Sequence, residues 1–170
     1  MLKKFLAAVT MLVCMFALAG CNAIKYNAEM NSFAKELVSA EFLNENRVKA
    51  FYLNENYVEG ESLPSEKYIF DDKSPQSRTF LIKEKEEFNS MFSGYSNEID
   101  FDKQMVLLHI FSDTNVRGYK LSKIDLNEKT LNVFYRLEQG YKKDNVMLYQ
   151  RCLMVKLDKL EVETVNFIKK

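Results

Sequence analysis

One histidine and three cysteines limit the nucleophilic and metal chemistry open to this chain of 170 residues. A serine or cysteine triad needs a histidine base, and a zinc site needs several His, Cys or carboxylate ligands gathered together. Only His109 can act as that base. Cys152 becomes a nucleophile only if a neighbouring group lowers its thiol pKa. His109 lies in the apolar run Met105 to Phe111, and Cys152 lies between Arg151 and Leu153. Both settings suit a core imidazole and a buried thiol, although the two could stand beside each other across a sheet. Acidic residues cluster at Asp71 and Asp72, at Asp100 and Asp102, and at Glu84, Glu86 and Glu87. None of these clusters has the flanking glycine and closing glutamate of a calcium loop. The five glycines are too widely spaced to cradle a phosphate. Tyr52, Tyr57, Tyr68, Tyr95 and Tyr141 could stack on a sugar or a protein, but without periodicity or tryptophan they read as ordinary half-buried tyrosines. The expectation is a protein with no catalytic residues, no metal site and no cofactor, and therefore not an enzyme.

The strongest chemical signal is at the start of the chain. Lys3 and Lys4 precede an uncharged run from Phe5 to Leu18. That pattern is a signal peptide, and it is short for a membrane-crossing helix, which needs roughly 20 apolar residues. Leu18-Ala19-Gly20-Cys21 resembles the lipobox of bacterial lipoproteins. The resemblance implies cleavage before Cys21, a diacylglycerol on its sulfur and further acylation with palmitate-type chains. Two or more acyl chains anchor a protein stably where one does so marginally. The expected location is the cell membrane, lipid-anchored on the extracytoplasmic side.

Cleavage removes residues 1–20, Lys3 and Lys4 among them. The 170-residue chain shortens to 150, and its 24 basic side chains fall to 22 against 24 acidic. Such a balance gives no electrostatic basis for nucleic-acid binding, which depends on a surplus of Lys and Arg. Cys14 leaves with the signal and Cys21 is acylated, so Cys152 remains the single free thiol and no internal disulfide is possible. A chain of 150 residues is one ordinary domain that can build a core without staples.

The elements that must position these residues follow from periodicity. Met30, Phe33, Leu37 and Val38 after Asn27 predict a helix over about 28–40. Val48 to Leu53 and Tyr68 to Phe70 read as short strands, with a loop at 59–65. Arg78 to Lys83 reads as a strand, followed by a helix over 84–94 in which Phe88, Met91 and Phe92 share a face and Gly94 takes a left-handed C-terminal position. The run Met105 to Phe111 predicts a strand buried on both faces at the centre of a sheet. Tyr119 to Leu126 and Thr130 to Leu137 predict a hairpin, with a bulge between Leu121 and Ile124. Val146 to Leu157 and Glu161 to Ile168 complete the strands. The expected fold is α+β, a mainly antiparallel sheet with one or two helices in a single domain.

From Thr79 to Phe167 the order of elements resembles the C-terminal domain of PrcB-type protease-complex lipoproteins. The resemblance rests on Phe80-Leu81-Ile82 with the helix Glu84 to Phe92, on Asp100-Phe101-Asp102 before Met105-Val106-Leu107-Leu108, and on Val116-Arg117-Gly118-Tyr119-Lys120-Leu121. The last stretch stands where that family has Gly-Gly-Tyr, with Arg117 in place of the first glycine. The chain divides accordingly into a signal peptide (1–20), a lipidated tether (21–27), an N-terminal helix with short strands (28–78) and a PrcB-like α+β region (79–170). The resemblance implies a non-enzymatic accessory or interaction module. Its partner would be an extracytoplasmic protein, in that family a secreted protease, met through Arg117, Gly118 and Tyr119. A small-molecule or glycan-binding surface lipoprotein is the alternative.

Overall fold

The computed structural model describes residues 25–95, 98–114, 117–138 and 147–170. The signal peptide, Cys21 and most of the tether lie outside the described residues, as do Val116, Gly140, Tyr141 and Val146. Along the described chain run β1 (Glu29–Asn31), α1 (Ala40–Glu45), β2 (Ala50–Leu53), β3 (Tyr68–Asp71), β4 (Ser77–Ile82), α2 (Lys85–Met91), β5 (Gln104–Asp113), β6 (Tyr119–Asn127), β7 (Thr130–Leu137), β8 (Tyr149–Asp158) and β9 (Thr164–Lys169). This is a single α+β domain with predominantly antiparallel strands and two helices, as the sequence pattern predicts.

β5 and β8 pair antiparallel along their whole length, with β4 and β1 outside them, in the order β1-β8-β5-β4. Both faces of this sheet are covered, which is why β5 is an almost unbroken apolar run. Val106, Leu108 and Ile110 point to the side where Val38, Val48, Phe88, Met91 and Phe92 pack, together with Cys152 and Met154 of β8. Met105 and Leu107 point to the opposite side, against Ile124 of β6 and Leu131 and Val133 of β7. The second sheet has the order β6-β7-β9, so the domain has three layers: helical segments, four strands, three strands. The β6–β7 hairpin turns at Glu128 (φ 53°) and carries the predicted bulge, a register shift between Leu121 and Lys123. β9 runs parallel to β7, the one parallel pairing among the described strands.

Two expectations need correction. No helix spans 28–40. Glu29–Asn31 instead pairs with Met154–Lys156 of β8, a 3-10 turn follows at Ala34–Glu36, and the helix begins only at Ala40. Ser39 caps it, its Oγ accepting from Phe42 N at 3.2 Å. The helical spacing of Met30, Phe33, Leu37 and Val38 cannot be served by one helix, because Met30 packs on one face of the four-stranded sheet and Leu37 and Val38 on the other. Gly94 is also not left-handed, since Gly60 is the only glycine with positive φ among the described residues. α2 ends at Met91, and the chain passes through an extended Phe92 that bridges to Val38. What Gly94 serves is close approach: a Cβ there would lie 3.4 Å from Glu36 O and 3.5 Å from Leu37 Cα.

Candidate functional site

The pairing register decides what His109 and Cys152 can do together. His109 is opposite Leu153 and Ile110 is opposite Cys152, so the imidazole and the thiol project from opposite faces of the sheet. Their pairing as nucleophile and base is ruled out by this geometry. Cys152 is buried beneath the helical layer, and burial pushes its thiol up to about 12. His109 is buried in the other layer, where its ring stacks on Phe167 (centroids 4.4 Å apart, 3° between planes) and on Phe111 (5.1 Å, 14°). Its Nδ1 shares a hydrogen bond with Thr79 Oγ1 at 2.9 Å. Burial lowers its pKa to about 4, opposed by a backbone hydrogen bond with Arg78. At neutral pH it is an uncharged aromatic core residue with one polar tie.

The acidic clusters have local duties. Asp71 accepts hydrogen bonds from Ser74 Oγ (2.7 Å), Ser74 N and Lys73 N, which hold its carboxyl below the usual range and close the turn after β3. Asp100 accepts from Lys103 Nζ at 2.9 Å and from Asp102 N, again with a lowered pKa. Glu84 is the N-cap residue of α2, and Glu86 and Glu87 lie in its first turn, where the helix dipole favours negative charge. Among the described residues no three His, Cys, Asp or Glu are placed to hold a metal ion.

Arg117, Gly118 and Tyr119 meet at the end of the sandwich where β5 leaves its sheet and β6 begins. Tyr119 is buried. Its ring packs edge-on against Phe111 and Tyr135, and its hydroxyl donates to Asp113 Oδ2 at 2.8 Å. Lys169 of β9 pairs with the same carboxylate. Burial, then the hydrogen-bonded Asp113 charge, raises the Tyr119 pKa, and burial lifts Tyr135 to about 12. Both phenols are therefore neutral hydrogen-bonding groups. The network ties β5, β6 and β9 together beneath the loop.

Arg117 is partly exposed, and its carbonyl accepts from Arg151 Nη2 at 3.0 Å. Gly118 is where the tight approach occurs. A Cβ on it would lie 2.7 Å from Glu138 Oε2 and 3.1 Å from Ser32 Oγ.

The loop and the N-terminal tether lie at different levels along β8: Gly118 is beside Ser32, just past Asn31, which is opposite Met154, whereas the tether meets Asp158. Asp158 N donates to Tyr26 O at one end of β8, whereas Tyr149 at the other end is opposite Asp113. The nine steps from Tyr149 to Asp158, at ~3.3 Å each, separate the two ends of β8 by about 30 Å.

Sequence reasoning missed a second feature, at the Tyr149 end of β8. β2 and β3 form a two-stranded sheet joined to the main body by Phe51 N donating to Leu148 O at 2.9 Å. It leaves Leu53, Tyr68, Ile69 and Phe70 exposed, with Val58 and Leu63 in the connecting loop. Three of the tyrosines considered as a patch belong here: Tyr52 donates to Val48 O at 2.7 Å, Tyr57 lies under Lys67, and Tyr68 faces solvent. Tyr95 instead packs edge-on against Phe88. The sequence signal was the run Tyr68-Ile69-Phe70 flanked by Lys67 and Asp71, which reads equally well as a core strand. An open cleft of about 420 Å³ lies beside this hairpin, lined by Arg47, Tyr52, Ile69 and Asp71 among others. No helix among the described residues is long and apolar enough to cross a membrane. Neither a known protein family, nor a curated protein, nor a solved structure matches the chain.

Proposed function

We propose that this chain is a membrane-anchored extracytoplasmic lipoprotein, held through lipid on Cys21, that acts as a non-enzymatic docking module for a protein partner. The observation that carries this reading is the separation of the two ends. The described chain starts beside Asp158, the exposed hairpin joins the opposite end of β8 about 30 Å away, and Arg117 and Gly118 lie between, beside Arg151 and Ser32, about 20 Å from the tether. A tether at one end leaves the other free to meet a partner. The rigid support under Arg117, with Tyr119, Asp113 and Lys169 bonded below it, suits a preformed docking surface.

The buried, uncharged His109 and the high-pKa Cys152 on opposite sheet faces are also what a binding module would contain. The segment 79–167 resembles PrcB-type subunits, and on that resemblance the partner is a secreted protease. The alternative, a small-molecule or glycan ligand, would use the cleft at Arg47 and Tyr52.

The test has two arms. The parent chain takes up labelled palmitate and fractionates with membranes, and Cys21→Ser loses both. Crosslinking at the cell surface followed by pull-down yields one dominant protein partner, and Arg117→Glu weakens that capture. An unlabelled parent would overturn the anchor. Recovery of the uncomplexed chain alone across growth conditions would overturn the docking role.

A further inference from the structure

The exposed side of the β2–β3 hairpin has a definite chemistry. Opposed residues are Ala50 and Asp71, Phe51 and Phe70, Tyr52 and Ile69, Leu53 and Tyr68. Asn54 N donates to Lys67 O at 2.9 Å, which fixes the alternation of the ladder. Tyr52 and Ile69 direct their backbone groups at each other, while Phe51, Leu53, Tyr68 and Phe70 direct theirs outward. On the β2 side Phe51 finds Leu148. On the β3 side the outward N–H and C=O groups of Tyr68 and Phe70 meet no other strand among the described residues. The side chains here are unusually open for apolar residues: Ile69 is 56% exposed, Tyr68 38% and Phe70 38%. Natural sheets protect such edges with charge, proline or a bulge, and β3 has none of these between Lys67 and Asp71.

We infer that β3 pairs with β3 of a second copy of this chain, antiparallel about a two-fold axis at Ile69. The sequence around Ile69 is self-complementary in this register. Ile69 meets the partner's Ile69. Tyr68 meets the partner's Phe70, and by symmetry Phe70 meets the partner's Tyr68. Lys67 meets the partner's Asp71, placing opposite charges across from each other twice. The backbone phase fits as well. Tyr68 and Phe70 carry the outward groups and become the hydrogen-bonded pairs, and Ile69, whose groups are used within the hairpin, becomes the non-hydrogen-bonded pair.

The result is a four-stranded sheet, β2-β3 of one copy joined to β3-β2 of the other. One face carries rows of Leu53, Tyr68 and the partner's Phe70, and cross-strand aromatic pairs of this kind are stabilising. Asp71 is available in charged form because Ser74 holds its carboxyl ionised. A four-residue edge is small beside the ~1,600 Å² of a standard complex, so the association is weak and suits a covalent trap.

The test is Ile69→Cys in the full chain. Non-hydrogen-bonded antiparallel neighbours have Cα atoms about 4.5 Å apart, within disulfide range. Mild oxidation is expected to convert most of the variant into a reducible species of twice the mass. The variants are made in a chain carrying Cys14→Ser and Cys21→Ser, and that background chain, whose single remaining thiol is the buried Cys152, gives no such species. Leu53→Cys, off the axis in this register, gives at least tenfold less. Adding Lys67→Glu to Ile69→Cys sets a carboxylate against the partner's Asp71 and slows trapping at least threefold. Three results would each overturn the inference: a monomer from an Ile69→Cys chain whose thiol reacts freely with maleimide, equal trapping from Leu53→Cys, or a disulfide to a different protein.

Discussion

His109 makes a sharp prediction about pH, because burial holds it neutral in the folded chain. Its pKa is about 4 in the folded state against 6.5 for an exposed imidazole. Between those values the unfolded chain binds a proton that the folded chain does not. Stability therefore rises with pH across this window, is fully present above about 6.5, and is lost as pH falls through about 4. At 1.36 kcal/mol per pH unit, the loss between pH 7.5 and pH 4.5 is ~2.5 kcal/mol from this residue alone.

The perturbation is His109→Phe, which keeps a ring between Phe111 and Phe167 and leaves the exposed Thr79 hydroxyl to water. Urea unfolding of parent and variant at pH 4.5, 5.5, 6.5 and 7.5 gives a stability difference in which other titrating groups cancel. That difference is expected to shift toward the variant by ~2.5 kcal/mol on going to pH 4.5. Because the chain has a single histidine, its ring proton signals report the same event directly, with a midpoint near 4. A pH-independent stability difference, or a ring titrating near 6.5, would refute the burial argument.

Three further outcomes follow from packing and chemistry. Cys152, with a pKa of about 12, is expected to react with iodoacetamide at pH 8 roughly a thousandfold more slowly in the native chain than after unfolding; fast native labelling would contradict its burial. Tyr119→Phe removes the hydrogen bond to the Asp113 carboxylate and is expected to cost about 1.5–3 kcal/mol in urea unfolding, with no effect on Arg117 exposure to proteases. Gly118→Ala displaces the Glu138 carboxylate, the end of a half-exposed side chain paired with Lys120, and is expected to lower stability by less than about 1 kcal/mol; a larger loss would mean that the backbone, not Glu138, has to move.

How much of this was legible in the sequence depended on whether local pattern or long-range pairing decided the outcome. The continuous apolar run of Met105 to Phe111 could only belong to a strand covered on both sides, and β5 is that strand. The alternation in Thr130 to Leu137 and the phase slip near Leu121 gave the hairpin and its bulge, since both are set by neighbouring residues. Residues 28–40 misled because their apolar spacing matches one helical stripe, whereas Met30 and Val38 serve different layers. The open side of β8 captured Glu29–Asn31 instead. The parallel placement of β9 left no local mark. Whether His109 and Cys152 face each other turned on the parity of the β5–β8 register, which one residue of slip would reverse. The exposure of Tyr68, Ile69 and Phe70 was equally invisible, as an apolar triplet reads as core until its neighbours are known.

The central claim is that the surface at Arg117 meets a protein partner while the Asp158 end of the sandwich is tied to the membrane. Photo-crosslinking in intact cells tests it most directly, with the crosslinker placed at position 117 in one strain and at position 103, beside the tether end, in another. The account predicts that position 117 captures one dominant protein other than this chain and that position 103 does not capture it. The same protein captured equally from both positions, or no protein from position 117, would contradict the account.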